Sequence, residues 1–201
     1  MTPVTLKTRP QRREPAEKPS IIFGQTLDRN QTLTIPTDIA PVPLAAPIVS
    51  DGLQAGSFLA VIDTQSLLDW QYFGNEICSG WPLPGDSSWQ WLATAAMRDE
   101  LSHVLARGFA GRWQTPARQV LDFFDRHATV VAEAALPAPL ARALRCTDPD
   151  DQKFVDLAVA AGAQWLVSRD RAVLKLRRRA WTLSGLRIVT PADWRPASGN
   201  A

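Results

Sequence analysis

The first clear pattern along the chain is a short, continuous apolar run at residues 58–62, which ends abruptly at Asp63. A short apolar run without alternation is typical of a strand that is buried on both faces of a parallel sheet. Three further segments are predicted as strands: residues 129–131, 164–168 and 186–189. Two of these four predicted strands terminate in an aspartate, namely Asp63 and Asp170.

Between the strands lie segments whose apolar residues recur at helical spacing. The longest predicted helix covers about residues 89–107, and a serine at position 87 or 88 can cap it. Its apolar stripe consists of Met97, Leu101, Val104 and Leu105. Other helices are predicted at residues 66–72, 116–126, 140–144 and 148–162. Because strands alternate with helices of this length, the predicted fold class is α/β, with a central parallel sheet and helices on both faces in three layers.

The N-terminal quarter of the chain differs in texture from the rest. Residues 1–55 contain eight of the sixteen prolines and show no sustained period of 2 or 3.6. Such a segment buries too little apolar surface to offset the entropy of ordering it, so we predict a flexible extension. Residues 56–195 are predicted to form the folded domain, and residues 196–201 a short tail.

Composition narrows the class of protein. The chain has 201 residues, of which 45% are hydrophobic, and this suits one domain plus an extension. Lys and Arg outnumber Asp and Glu by only 22 to 20, so any surface for nucleic acid must be local. Cys78 and Cys146 have neither zinc-site spacing nor the density of a disulfide-stapled domain. Without a secretory signal or an apolar run of roughly 20 residues, the sequence predicts a cytoplasmic protein with no membrane partner.

Four acids stand where the predicted sheet should bind a ligand, beyond the carboxyl ends of its strands. They are Asp63, Glu100, Asp151 and Asp170. Each has an ordinary structural explanation, since Asp63 and Asp170 can cap the helices that follow them and Asp151 can form a capping box with Asp148. Glu100, at the border of an apolar stripe, can simply be solvated. The set is harder to explain in this way, because all four can converge at one edge of the sheet.

Converging carboxylates need a counterion. Two of them about 4 Å apart repel each other by about 4 kcal/mol at an effective dielectric of about 20, and a divalent cation removes that cost. Oxygen-only ligation, without a nearby His or Cys, suits Mg²⁺ or Mn²⁺ better than zinc. Such an ion lowers the pKa of bound water and stabilises charge on phosphoryl oxygens, so the constellation indicates phosphodiester hydrolysis.

The four acids lie in four short segments: residues 61–64 (VIDT), 100–105 (ELSHVL), 148–154 (DPDDQKF) and 166–170 (LVSRD). These segments resemble the successive motifs of PIN-domain proteins, and residues 188–194 (IVTPADW) are similar to the family's last strand and tail. The resemblance covers about residues 57–194 and is to the branch described as toxins of toxin–antitoxin systems. It implies a metal-dependent endoribonuclease with an RNA substrate, an antitoxin protein as partner and a homodimeric state.

Carried over by position, the resemblance assigns the catalytic and metal-binding roles to Asp63, Glu100, Asp151 and Asp170. Thr64 and Ser168 would then be hydroxyls that orient a carboxylate or water. The sequence departs from the family at Gln65, where Asn is common, and Asp148 or Asp150 could replace Asp151 as ligand. Two alternatives therefore stay open: a catalytically silent PIN fold that acts as a binding or regulatory module, and a DNA-directed nuclease or phosphatase using the same acids.

Basic and aromatic residues are the candidates for contacting nucleic acid. Near the predicted metal edge we favour Arg169 or Arg171 over the basic run at residues 175–179, because a charge run is usually a solvated helix face. Of the eight tryptophans, Trp81 and Trp89 are predicted to be the more exposed, and exposed rings can stack on bases.

Overall fold

The computed structural model describes residues 57–85, 89–109 and 115–195, and the predicted extension (1–55) and tail (196–201) lie outside these ranges. The described residues contain one sheet of five parallel strands. The strands are Phe58–Ile62 (β1), Trp89–Ala93 (β2), Ala128–Val130 (β3), Trp165–Val167 (β4) and Arg187–Val189 (β5). They pair in the order β3-β2-β1-β4-β5.

Seven α-helices in the described residues flank this sheet. They are Thr64–Gln71 (α1), Ala95–Arg107 (α2), Ala117–His127 (α3), Ala138–Ala143 (α4), Gln152–Ala160 (α5), Arg171–Leu174 (α6) and Arg177–Ser184 (α7). Helix α5 packs on the central strands β1, β2 and β4, whereas α6 and α7 pack on the edge strand β5. The predicted α/β class, with a parallel sheet between helices, is confirmed. As far as the described residues go, no helix is long and apolar enough to cross a membrane.

The prediction of one helix over residues 89–107 is wrong in its first third. Residues 89–93 form strand β2, which is buried throughout and pairs in parallel with β1. The helix begins only at Ala95, after Thr94, whose hydroxyl accepts a hydrogen bond from the Met97 N–H at 3.4 Å. A five-residue, mostly apolar segment with two tryptophans fits a buried strand as well as a helical turn, and pairing with β1 decides between them.

The direction in which strands are added reverses after β3. Strands β1, β2 and β3 follow one another outwards, and the chain then crosses to the other side of β1 to add β4 and β5. In open α/β sheets such a reversal marks the crevice where ligands bind, here between the carboxyl ends of β1 and β4. The two ends are joined by a hydrogen bond of 3.0 Å from the Asp63 N–H to the Val167 carbonyl. The strands predicted to end in Asp63 and Asp170 are therefore neighbours, as expected.

Three tryptophans from distant parts of the sequence pack together in the core. The ring centroid of Trp194 lies 4.5 Å from that of Trp81 and 4.9 Å from that of Trp89, with both ring pairs nearly perpendicular. Trp81 is only 8% exposed and Trp89 only 1%. The prediction that these two rings are exposed is therefore wrong, because Trp89 belongs to the buried strand β2 and Trp81 packs inward against Trp194.

Candidate active site

Asp63 lies at the carboxyl end of β1 and is buried, with 4% of its surface exposed. Its carboxylate accepts a hydrogen bond from the Ser66 N–H at 2.6 Å, so it does cap α1. The Ser168 hydroxyl and the Arg169 backbone N–H also donate to it. Burial nevertheless raises the pKa of Asp63, since these donors only partly replace the lost water. A helix cap has no need of such burial, so capping alone does not explain this residue.

Asp170 stands in a matching position beyond β4. One of its carboxylate oxygens accepts hydrogen bonds from the Ala172 N–H at 2.5 Å and the Val173 N–H at 3.3 Å, so it caps α6. Its own N–H donates to the Ser168 hydroxyl at 3.0 Å. Because that hydroxyl donates in turn to Asp63, the fully buried Ser168 links the two acids across the crevice. This is the orienting position predicted for Ser168.

Asp151 differs from the two strand-end acids because the capping-box explanation for it is wrong. Helix α5 begins at Gln152, and within the described residues the Asp151 carboxylate accepts no hydrogen bond from a helix N–H. The pKa of Asp151 is raised to about 6, first by burial and then by the negative charges of Asp170, Asp148 and Asp63. The Lys153 ammonium opposes this shift. A carboxylate with no capping role is thus held among three others.

The loop before α5 carries two more aspartates, and the structure separates them. The Asp148 carboxylate accepts a hydrogen bond from the Asp150 N–H at 3.0 Å, and both side chains are exposed. Asp148 raises the pKa of Asp151, whereas Asp150 is not among the charges that do so in the described part of the chain. Asp151 and the three aspartates whose charges act on it are called the acidic cluster below: Asp63, Asp148, Asp151 and Asp170.

Glu100 is connected to the acidic cluster through Lys153. It lies on α2, and its carboxylate forms an ion pair of 2.5 Å with the Lys153 ammonium. The two side chains are about 30% exposed, so Glu100 is neither freely solvated nor buried. Because Lys153 also acts on Asp151, this lysine stands between Glu100 and the acidic cluster. The structure therefore brings Glu100 to the edge of the cluster with a cation already beside it.

The structure contains an ion pair between Arg169 and Asp69 that the sequence did not predict. Arg169, predicted as a phosphate contact, donates to the carboxylate of Asp69 at 2.6 Å. Asp69 is 7% exposed and lies on α1, following the buried Leu67 and Leu68. The one sequence feature that could have indicated this pair is the position of an acid, Asp69, in an otherwise apolar stretch. The pair joins α1 to the segment after β4, so it holds the two sides of the crevice together.

The donor set fits a hard divalent cation in its chemistry. The acidic cluster and Glu100 offer carboxylate oxygens alone, as Mg²⁺ and Mn²⁺ prefer. The raised pKa of Asp151 reflects burial first and repulsion by the neighbouring carboxylates second, and a bound cation offsets both costs. Over residues 57–85, 89–109 and 115–195, no three such side chains already stand at ligating distance of one point. Metal binding at this crevice would therefore require the carboxylates to draw together.

This arrangement predicts that stabilisation by metal depends on pH. The carboxyl of Asp151 has a pKa of about 6 in the folded protein, against an ordinary value of 3.8. Its ionisation therefore lowers the stability of the fold increasingly as pH rises between these two values. Metal needs the charged form, so the apparent affinity for Mn²⁺ should be about tenfold weaker at pH 5 than at pH 8. At a hundredfold excess over Kd at pH 8, binding contributes about 2.7 kcal/mol, and Tm should rise by about 5–10 °C.

Thermal melts with Mn²⁺ at the two pH values measure this effect. Asp151→Asn should remove most of the rise in Tm at pH 8. Asp150→Asn is the matched control, since it changes an exposed acid in the same loop and should leave the rise intact. An equal rise at both pH values in the unaltered protein would contradict the role given to Asp151.

The fold and the site together define a class of protein: a parallel α/β domain with a cluster of carboxylates at the strand reversal point. Comparison with protein families agrees with this class. The PIN domain family matches residues 60–172, which is more than half of the chain. The chain therefore belongs to the PIN domain family, and this membership supports a nuclease that hydrolyses phosphodiesters.

A comparison with solved structures finds the crystal structure of VapBC2 from Rickettsia felis, which is bound to a DNA fragment from the promoter of VapBC2. It is 13% identical, the match covers 66% of this chain and 98% of that chain, and the TM-score is 0.42. A likeness at this level carries no information on substrate or partner. None of the curated proteins compared with the chain matches it.

Proposed function

We propose that this protein is a Mg²⁺- or Mn²⁺-dependent endoribonuclease whose metal is held by Asp63, Glu100, Asp151 and Asp170. One observation carries the proposal. Asp151 has no capping role within the described residues, and its charge is opposed by Asp63 and Asp170 at the carboxyl ends of β1 and β4 and by Asp148 in the loop before α5. A site that crowds negative charge in this way gains stability from a divalent cation, and PIN family membership supports nuclease chemistry.

The chain's own side chains prepare this site. When bound, the ion would lower the pKa of water and stabilise charge on the phosphoryl oxygens. Ser168 orients the Asp63 carboxylate and the backbone before Asp170, so the two strand-end acids keep a fixed relation. Lys153 holds Glu100 beside the cluster, and ligation by Glu100 would exchange that ammonium for the metal.

The choice of RNA over other phosphate esters rests on the family resemblance and is open to a direct test. We expect the full-length chain with Mn²⁺ or Mg²⁺ to cleave single-stranded RNA internally, and EDTA to stop the reaction. Single-stranded DNA of the same sequence and p-nitrophenyl phosphate are the comparison substrates. Preferential cleavage of the DNA would favour the DNA-directed alternative, and turnover of the monoester alone would favour a phosphatase.

A catalytically silent PIN fold is the main competing proposal, motivated by Gln65. The Gln65 side chain is exposed in the first turn of α1, two residues after Asp63. The Ser168 link and the paired Glu100 argue for a retained site, since a silent fold has no need of either. Absence of cleavage with every substrate, together with Mn²⁺ binding unchanged by Asp151→Asn, would establish the silent alternative. The toxin role, the antitoxin partner, the homodimer and the cytoplasmic location stay predictions from the sequence.

A further inference from the structure

A concavity lined by cations lies on the two helices that follow Asp170 of the acidic cluster. It is formed by α6 and the start of α7, and its volume is about 400 Å³. Its lining consists of Arg171, Leu174, Lys175, Arg177 and Arg178. Arg171 follows Asp170 directly in the chain, so the concavity begins where the acidic cluster ends. We call it the α6–α7 concavity.

The four cations of this concavity have no carboxylate partner in the part of the chain that the structure describes. The ion pairs found there are Arg98–Asp125, Arg118–Asp122, Lys153–Glu100 and Arg169–Asp69. The next residue of the same basic run behaves differently, since Arg179 donates to the Ala143 carbonyl at 2.7 Å and ties α7 to α4. The run thus divides into one structural arginine and an unpaired group that faces a shared hollow.

We infer that the α6–α7 concavity binds the backbone phosphates of the RNA strand that flanks the scissile bond. The inference rests on the proposed function and names the surface that holds its substrate. An acidic cluster repels a polyanion, and a metal there neutralises only the phosphate under attack. The neighbouring phosphates need cations of their own. With a net charge of only +2, the chain must supply those cations locally, and the concavity does so next to Asp170.

This assignment changes the expected phosphate contacts. Arg169 was favoured by sequence, but its guanidinium is already paired with Asp69. Arg171 keeps its place as a candidate and gains three neighbours: Lys175, Arg177 and Arg178. Binding should therefore depend strongly on salt, with each phosphate contact contributing about 0.7 to the slope of log K against log salt for a single strand.

The test measures RNA binding without catalysis. A fluorescein-labelled 20-nucleotide RNA is titrated with the full-length chain in EDTA, and anisotropy is recorded between 50 and 200 mM salt. The variant is the triple change Lys175→Gln, Arg177→Gln and Arg178→Gln, which leaves Asp170 and its neighbour Arg171 untouched. We expect Kd at 0.1 M salt to rise about tenfold to hundredfold and the slope to fall by about 2.

The matched control removes the same charge elsewhere. It is the triple change Arg107→Gln, Arg118→Gln and Arg126→Gln on α2 and α3. These two helices contact each other, and α3 leads into β3, the edge strand opposite β5. Its Kd should stay within about twofold of the unaltered protein. A charge-retaining variant, Arg177→Lys with Arg178→Lys, should keep most of the salt slope. Circular dichroism melts confirm that all variants fold.

Every outcome of this experiment is decisive. The inference would be overturned if the triple variant of the concavity and the unaltered protein had the same Kd and the same salt slope. It would also be overturned if the control variant lost as much affinity for RNA as the concavity variant. A glutamate-rich peptide of the same charge serves as a second probe, and its tighter binding through the concavity would assign the surface to a protein partner instead. If the concavity binds RNA as expected but Mn²⁺ in place of EDTA gives no cleavage, the binding surface stands and the proposed nuclease activity falls.

Discussion

Replacing Asp63 by asparagine is expected to abolish RNA cleavage, with a loss of about a thousandfold or more, while the fold survives. The amide keeps the shape of the side chain and an oxygen that can still accept the Ser66 N–H, and asparagine is a good helix cap. The substitution removes the charge that a metal needs at the end of β1. Losing several kcal/mol of transition-state stabilisation from a metal site corresponds to a decrease of this size.

Single-turnover cleavage of labelled RNA in Mn²⁺ measures this loss, and a thermal melt checks the fold. Asp122→Asn is the matched control, because Asp122 is an exposed acid on α3 whose ion pair with Arg118 is long, at 3.8 Å. Its activity should be unchanged. Full activity in Asp63→Asn, with an intact melt, would show that the metal is not held where we propose.

Replacing Trp194 by alanine is expected to cause the largest loss of stability, about 3–5 kcal/mol in the free energy of unfolding. Trp194 is completely buried, and its ring packs against two others, Trp81 and Trp89, from different parts of the sequence. Truncation leaves a cavity that these large rings cannot fill without moving. For a chain of this size the loss corresponds to a fall in Tm of about 6–20 °C.

Urea unfolding followed by tryptophan fluorescence or circular dichroism measures the change. Trp194→Phe keeps an aromatic ring and should lose less than half as much. Leu183→Ala is the surface control, since Leu183 is 37% exposed and its truncation should change stability by no more than about 0.5 kcal/mol. A loss below about 1 kcal/mol in Trp194→Ala would mean that the tryptophan cluster does not hold the end of the domain in place.

The parts of the fold that sequence predicts well are those with local signals. The apolar run of β1 and the aspartate that ends it are visible in six consecutive residues, and the structure places both as expected. The same holds for β4, which pairs with β1 and leads to Asp170. Asp63 and Asp170 lie at the same edge of the sheet because the carboxyl ends of neighbouring parallel strands lie together.

The parts that sequence predicts badly depend on partners far away in the chain. Strand β2 was taken for a helix, since only its pairing with β1 distinguishes the two. The ion pair between Asp69 and Arg169 joins positions 100 residues apart, so the local sequence shows an acid in an apolar stretch but not the partner of that acid. At Asp151 the local signal pointed the wrong way, because a run of acids before a helix resembles a capping box. The environment of the side chain, rather than its position, distinguishes Asp151 from a cap, since its carboxylate caps no helix of the described residues and is surrounded by three other acids.

The pairing of β1 with β4 also has a consequence for protein synthesis. The Leu59 N–H donates to the Gln164 side chain across 105 residues, and the crevice exists only once these two segments meet. A nascent chain that has left the ribosome as far as β3 possesses Asp63 and Glu100 but lacks the strand that faces them. The crevice between β1 and β4 therefore forms only after β4 and its following loop have left the ribosome, so a shorter nascent chain carries Asp63 and Glu100 without the segment that completes their surroundings.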